Sequence, residues 1–161
     1  MARKSWMLAG MLVAMPAVAE DVVWQGHTVQ VDASREARPI LRMSGVKYSI
    51  PGSATQIIGT AEQCAAGQSG AITGASREPD NGWLVADSRA DYRQKGRRSV
   101  KARLAVEAGE GNFRIVFTEL ATSPADAVSY APLIQQDGPG WESALVAVIG
   151  VEQGLLDCMF R

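Results

Sequence analysis

Alternation of apolar and polar side chains predicts a β-sheet across the middle of the chain. Residues 100–107 alternate between aliphatic and mostly charged side chains, and residues 113–118 repeat the pattern farther along. This period is typical of strands that bury one face and expose the other. Turns rich in glycine, proline and asparagine separate the alternating segments. The predicted strands are residues 46–50, 70–78, 83–93, 99–108 and 112–121.

Two other segments have the helical period. Ser53 is a good N-cap, because its hydroxyl can accept a hydrogen bond from a backbone amide that the helix leaves free. The helix behind it keeps apolar residues on one face as far as Gly67. The clearest helix runs from Trp141 to Phe160. Its residues at helical spacing are Leu145, Val148, Ile149, Glu152, Leu156 and Met159.

The order of these elements predicts an α+β fold. We expect an antiparallel sheet of about five strands with two helices on one face, in the order β-α-β-β-β-β-α. Residues 45–161 would form this single domain, and residues 20–44 an N-terminal strand or extension. Residues 122–140 contain three prolines and are expected to be a connection.

The N-terminal segment predicts export. Arg3 and Lys4 precede an uncharged, largely apolar run that ends in Ala17-Val18-Ala19. A basic N-terminal region, a short apolar run and a cleavage site of small residues together predict a signal peptide at residues 1–19. We therefore expect a periplasmic or secreted mature chain that begins near Glu20. No second apolar run approaches membrane length, so we expect no membrane anchor in that chain.

Charge narrows the classes of partner. The 161 residues include 16 basic and 17 acidic side chains. Loss of Arg3 and Lys4 from the 16 basic residues would leave 14 against 17 acidic ones, a net charge of −3. General nucleic-acid binders are usually strongly basic, so we expect a soluble domain with no nucleic-acid partner.

Cys64 and Cys158 are the only thiols, one on the apolar side of each predicted helix. Exported chains with two cysteines are normally oxidised. If both helices cover one face of the sheet, the two sulfurs could meet in a disulfide. The alternative is a pair of buried, inert cysteines. Neither alternative is catalytic, because no Cys-x-x-Cys motif occurs.

Candidate catalytic and metal-binding residues are few. His27 is the only histidine, and a Ser-His-Asp or Cys-His mechanism would have to use it. It lies beside Gly26 in a polar strand, so we expect it on the surface. One histidine with two oxidised cysteines is a poor set of metal ligands, and no phosphate-binding glycine loop occurs. We therefore expect no metal, no cofactor and no catalytic residue.

A basic cluster is the feature that suggests a binding surface. Seven basic residues fall between Arg89 and Arg103. The candidate binding residues are Arg97, Arg98, Arg93 and Lys101, because guanidinium and ammonium groups bind carboxylate or phosphate. The alternative is a solvated strand face whose charges protect an exposed sheet edge.

The chain also resembles a known class of domain. The likeness rests on Tyr48-Ser49-Ile50, the Ser53 helix, Gly70-Ala71-Ile72-Thr73-Gly74, the strands Ser99 to Val106 and Phe113 to Thr118, and the helix from Trp141. Over about residues 45–160 the chain resembles small secreted bacterial domains of unknown function with a TATA-binding-protein-like fold. The resemblance implies the fold. It implies neither catalytic residues nor nucleic-acid binding, since fold does not determine function.

Three functions are compatible with these observations. The leading hypothesis is a non-enzymatic module that binds a protein, peptide or small ligand on its sheet surface. The alternative is a carrier of helix-grip type, in which a curved sheet wraps the last helix around an apolar pocket. A less favoured hypothesis is a hydrolase that uses carboxylates alone. Its candidate residues are Asp87, Asp91, Glu107, Glu110 and Glu119.

Overall fold

The computed structural model describes residues 18–124, 127–135 and 140–161. Within these ranges the chain forms nine strands and two helices, and all strand pairs are antiparallel. The elements are β1 (Ala19–Trp24), β2 (His27–Asp32), β3 (Ile40–Ser44), β4 (Tyr48–Ser49), α1 (Ala54–Ala66), β5 (Ile72–Arg77), β6 (Leu84–Arg93), β7 (Arg97–Gly109), β8 (Asn112–Pro124), β9 (Ala131–Pro132) and α2 (Gly140–Met159). The predicted α+β class is confirmed. Most of the predicted signal peptide, residues 1–17, lies outside the described residues.

The centre of the sheet is the β7–β8 hairpin. The main path of the sheet is β1-β2-β3-β8-β7-β6-β5. Along one side of β8 lies β7, which is as long as β8 at 13 residues. Along the other side three short strands pair with β8 in turn, β4 near its start, β3 at its middle and β9 near its end.

The predicted sheet of about five strands, in the order β-α-β-β-β-β-α, is wrong in strand number and in overall order. Residues 19–44 join the sheet as β1, β2 and β3, and β9 is inserted before α2. With those four strands set aside, β4 to α2 follow the predicted order. Very short strands escape a periodicity argument because two residues cannot display a repeat.

Helix α1 begins at a reciprocal cap. The Gln56 amide donates a hydrogen bond to the Ser53 hydroxyl at 3.2 Å, and the Ser53 amide donates to the Gln56 side chain at 2.9 Å. This capping box satisfies two backbone donors that the helix itself leaves free. The helix ends at Gly67, as its sequence predicts.

Both helices pack against β6 and β7 and against one another, so they cover one face of the sheet as predicted. The predicted disulfide between Cys64 and Cys158 is confirmed, with the two Cα atoms 5.7 Å apart. In the described ranges, neither helix combines the length and apolar character needed to cross a bilayer.

Helix α2 contacts both halves of the sheet. This helix packs on β6, yet its Trp141 ring also lies 5.7 Å from the Trp24 ring at the end of β1. Its Glu152 contacts His27 at the start of β2. In the sheet β2 and β6 are four strand positions apart, or about 19 Å. At 20 residues, or about 30 Å, α2 is long enough to contact both.

The space between sheet and helices is filled. Large side chains from both layers have no exposed surface, which leaves no water-sized space beside them. They include Leu104, Phe113, Phe117, Leu145 and Leu155. The apolar pocket that a helix-grip carrier needs finds no support in these residues.

Candidate functional site

The outer face of the sheet is the side of β6, β7 and β8 that is turned away from the helices. Leu84 and Ala86 of β6 and Leu104 of β7 point into the core. The alternate residues therefore point outward. Pairing places Asp87 opposite Arg103, so their side chains are neighbours on the outer face.

Two adjoining clefts lie on this face, with volumes of about 340 Å³ and about 590 Å³. They share Lys101, Glu119 and Tyr130. We call the smaller one the charged cleft; its other outward-facing residues are Thr73, Asp87, Arg89 and Arg103. We call the larger one the apolar cleft; its apolar residues are Pro39, Ile40, Leu41, Leu120, Ala121 and Pro132.

Tyr130 stands where the clefts meet. Its hydroxyl lies 2.9 Å from the Ser99 hydroxyl, and the ammonium of Lys101 lies 4.4 Å from the centre of its ring. The hydrogen bond with Ser99 is the main cause that lowers the pKa of Tyr130 from its ordinary value. Burial opposes this shift, whereas Ser123 and the charges of Arg89 and Lys101 support it.

A β-bulge opens the sheet at the same place. Arg103 pairs with Thr118, but Lys101 pairs with Ala121, so Glu119 and Leu120 together face one residue of β7. Glu119 has φ of +54°, in the left-handed region that residues other than glycine rarely adopt. The bulge buries Leu120 and leaves Glu119 exposed between the clefts.

Strand geometry separates the four predicted binding residues. Arg97 and Arg98 are the first two residues of β7, so their side chains point to opposite faces. Arg97 pairs with Arg93 and its guanidinium lies 3.1 Å from Asp91. Arg93, Arg97 and Lys101 therefore share the outer face. Arg98 instead donates a hydrogen bond to the Tyr92 hydroxyl at 3.3 Å.

Several of the carboxylates proposed for hydrolysis are paired with arginine side chains. Asp87 lies 3.7 Å from Arg103, and Glu107 accepts hydrogen bonds from Arg114 at 2.7 Å and from Arg42 at 3.2 Å. A carboxylate-based glycosidase needs one carboxyl free to donate a proton and another free to face the sugar. Carboxylates engaged with guanidinium groups fit a structural role better.

His27 was expected on the surface, and this is wrong. Its side chain is only 11% exposed, and its Nε2 is hydrogen-bonded to Oε2 of Glu152, a side chain 2% exposed. Its Nδ1 lies 3.0 Å from the carbonyl oxygen of Gln25. The Gln25 carbonyl can only accept, so Nδ1 donates, and an ionised Glu152 beside Nε2 favours the imidazolium form of the ring. With both nitrogens occupied, His27 is not free to bind a metal or act as a general base.

Glu152 raises the pKa values of two neighbouring side chains, His27 and Tyr48. Its hydrogen bond is the main cause that raises the pKa of His27; burial opposes the shift and the Gln25 carbonyl supports it. Its Oε1 lies so close to Gly45 that a Cβ there would overlap it. Burial, followed by the charge of Glu152, raises the pKa of Tyr48. A glutamate within the apolar stripe of α2 was the sequence signal for this pair.

Comparisons with known proteins show the fold. No protein-family model matches the chain, and no curated protein sequence matches it. The structure is similar to that of a TBP-like protein from Parabacteroides distasonis, with a TM-score of 0.56 and 10% identity over 87% of this chain and 97% of the other. It is also similar to a DUF4468 family protein from Bacteroides ovatus, with a TM-score of 0.58 and 9% identity over 76% of this chain and 87% of the other. At such identities the likeness shows the fold alone, and it confirms the TATA-binding-protein-like fold.

Proposed function

We propose that this protein is an exported, non-enzymatic binding module whose outer sheet face takes an acidic segment of a partner protein. The observation that carries the proposal is the pair of adjoining clefts around Lys101 and Tyr130. The opposite face of the sheet is covered by the helices and filled with side chains. Of the two faces, the outer one is therefore open to a partner.

Charge on the outer face favours an acidic partner. Among the described residues, the basic side chains near the clefts are Arg35, Arg89, Arg93, Arg97, Lys101 and Arg103, and the acidic ones are Asp87, Asp91 and Glu119. This excess of positive charge contrasts with the formal net charge of −1 for the whole chain. The ion pairs there are exposed and therefore weak, so an incoming carboxylate can compete for the arginines.

The shape of the clefts favours a chain segment over an enclosed small molecule. Small-molecule sites usually enclose most of their ligand, whereas these clefts lie side by side on an open sheet face. Tyrosine and arginine are enriched at protein interfaces, and both residue types border the charged cleft.

A catalytic role for the same residues has little support. Ser99 is hydrogen-bonded to Tyr130 near Lys101, a combination that would suggest a nucleophile and its base. However, Ser99 is 0% exposed, so its hydroxyl cannot reach a substrate. The Ser99–Tyr130 hydrogen bond serves to anchor Tyr130 on the sheet.

The test uses a fluorescein-labelled oligoglutamate peptide and its oligoglutamine counterpart, with binding measured by fluorescence anisotropy at low and high salt. We expect the acidic peptide to bind, and the Arg97→Ser, Lys101→Ser double variant to weaken binding by at least about threefold at low salt. Arg98→Ser is the matched control, because this neighbouring arginine points to the other face. Equal binding by all three proteins, or no preference for glutamate, would overturn the proposal.

A further inference from the structure

We infer that the two clefts form one bipartite site, which selects a segment carrying an acidic side chain next to an apolar one. This inference rests on the binding function proposed above. It adds the requirement that the ligand also carries an apolar side chain beside the acidic one. The charged cleft would hold the carboxylate, and the apolar cleft would hold the neighbouring side chain.

The apolar cleft is formed where two strands bulge side by side. On β3, Arg42 pairs with Gln30 but Ile40 pairs with Val31, so Leu41 is an extra residue. On β8 the bulge at Glu119 follows directly after the residue that pairs with Arg42. Aligned bulges break the sheet at one level, and bulges often redirect side chains next to binding sites.

A third segment is wedged into this break. The Ile40 amide donates a hydrogen bond to the carbonyl oxygen of Leu133 at 2.9 Å, and the Leu133 amide donates to that of Leu120 at 2.9 Å. Leu133 thus bridges β3 and β8 past the bulges, beside Pro132 of β9. Because backbone hydrogen bonds fix all three segments, the apolar cleft is a built feature of the sheet.

Leu41 gives the apolar cleft a side chain with exposed surface to bury. It is 39% exposed, whereas its neighbour Ile40 is 4% exposed. Together with Pro39 and Pro132 it borders a volume of about 590 Å³. An apolar side chain entering there would remove this surface from water, which is favourable in proportion to the area buried.

The position of Glu119 between the clefts favours one acidic side chain beside an apolar one. It is exposed at the boundary and borders both clefts. Arg89 and Arg103, which border only the charged cleft, and Lys101, which borders both clefts, attract a carboxylate on the ligand. Asp87 in the charged cleft and Glu119 at the boundary oppose that attraction. A run of acidic residues would still bind in the charged cleft, but a second carboxylate in the apolar cleft would lie beside Glu119, although Arg35 also borders that cleft, and would leave its apolar side chains uncovered. An acidic residue followed by an apolar one avoids that contact and fills both clefts.

The test compares three soluble Gly-Ser peptides that carry two Glu-Leu, Glu-Ser or Gln-Leu pairs, titrated into the wild-type protein by NMR. We expect the Glu-Leu peptide to bind at least about fivefold more tightly than either of the others, since each of them leaves one cleft empty. This comparison needs no variant, so it stands even if a substitution disturbs folding.

Variants then assign each preference to its cleft. Leu41→Ser should remove the preference for Glu-Leu over Glu-Ser, and Lys101→Ser should reduce the preference for Glu-Leu over Gln-Leu. Val46→Ser is the matched control, because Val46 is an exposed aliphatic residue at 52% and borders neither cleft. Equal affinity for Glu-Leu and Glu-Ser, with Gln-Leu weaker, would overturn the bipartite site and leave the acidic-partner function intact. Failure of both glutamate peptides to bind would overturn both proposals.

Discussion

His27 and Glu152 show how one polar pair can be accommodated in an apolar interior. Glu152 lies on the buried side of α2, and its Oε2 is hydrogen-bonded to the His27 ring of β2, so each side chain has a polar partner. Gly45 leaves room for the carboxylate where any side chain would overlap it. A buried pair of this kind contributes little net stability, yet loss of one partner is costly.

We predict that His27→Ala lowers the free energy of unfolding by about 3 kcal/mol or more, because it leaves the Glu152 carboxylate buried without its partner. Replacing both residues, as in His27→Leu with Glu152→Leu, should cost clearly less than the single change. Urea unfolding of the two variants and the wild type measures the difference. A double variant less stable than His27→Ala would show that the pair itself stabilises the fold.

The same pair predicts how stability depends on pH. The folded-state pKa of His27 is raised above its ordinary 6.5, so the folded protein holds a proton that the unfolded chain releases. The stabilisation is fully present below pH 6.5 and is lost as pH rises through the folded-state pKa. Thermal unfolding from about pH 5 to about pH 9 should show this loss in the wild type. The double leucine variant should lack that component, and identical profiles would contradict the assignment.

Among the elements, the long regular ones follow from sequence and the irregular ones do not. The alternation in β7 and β8 and the helical spacing in α2 are local repeats, which packing reinforces. The bulge at Glu119 breaks the alternation, so the sequence pattern places this residue inside and Leu120 outside, the reverse of the structure. Tyr130 and β9 lie in a proline-rich connection without a repeat. The clefts arise from such long-range contacts, and of the four residues predicted to bind only Lys101 borders them.

We predict that the disulfide between Cys64 of α1 and Cys158 of α2 stabilises the fold by restricting the unfolded chain. It joins residues 94 apart, and removal of a native disulfide typically costs about 2–4 kcal/mol. Cys64→Ala with Cys158→Ala should therefore lower the melting temperature and still give a folded protein, since both helices keep their apolar contacts with the sheet. Thiol labelling of the denatured, unreduced wild type should find no free cysteine. Reaction of both thiols before reduction would contradict this.

At the scale of the whole molecule, the inner face of the sheet serves the stability of the fold and the outer face serves the binding proposed above. The inner face carries α1, α2 and their disulfide, which stabilise the fold, and it accommodates the buried His27–Glu152 pair. The outer face carries aligned bulges, exposed ion pairs and Glu119, one of four non-glycine residues with positive φ in the described ranges. Features that cost stability are tolerated where they serve binding, which is why we place the function on the outer face.

Export and processing make the last prediction. We propose cleavage after Ala19, so the exported protein should have the mass of a chain that begins at Glu20. The cut would remove the hydrogen bond from the Ala33 amide to the Val18 carbonyl oxygen, worth about 1 kcal/mol. The pairing of β1 with β2 from Glu20 onward and the 2.9 Å ion pair between Glu20 and Arg38 would remain.

A recombinant chain starting at Glu20 should therefore melt within a few degrees of one starting at Val18. A chain starting at Gln25 loses β1 and the packing of Trp24 on Trp141, so it should melt well below both. Detection of the unprocessed chain in membranes after export would contradict the cleavage.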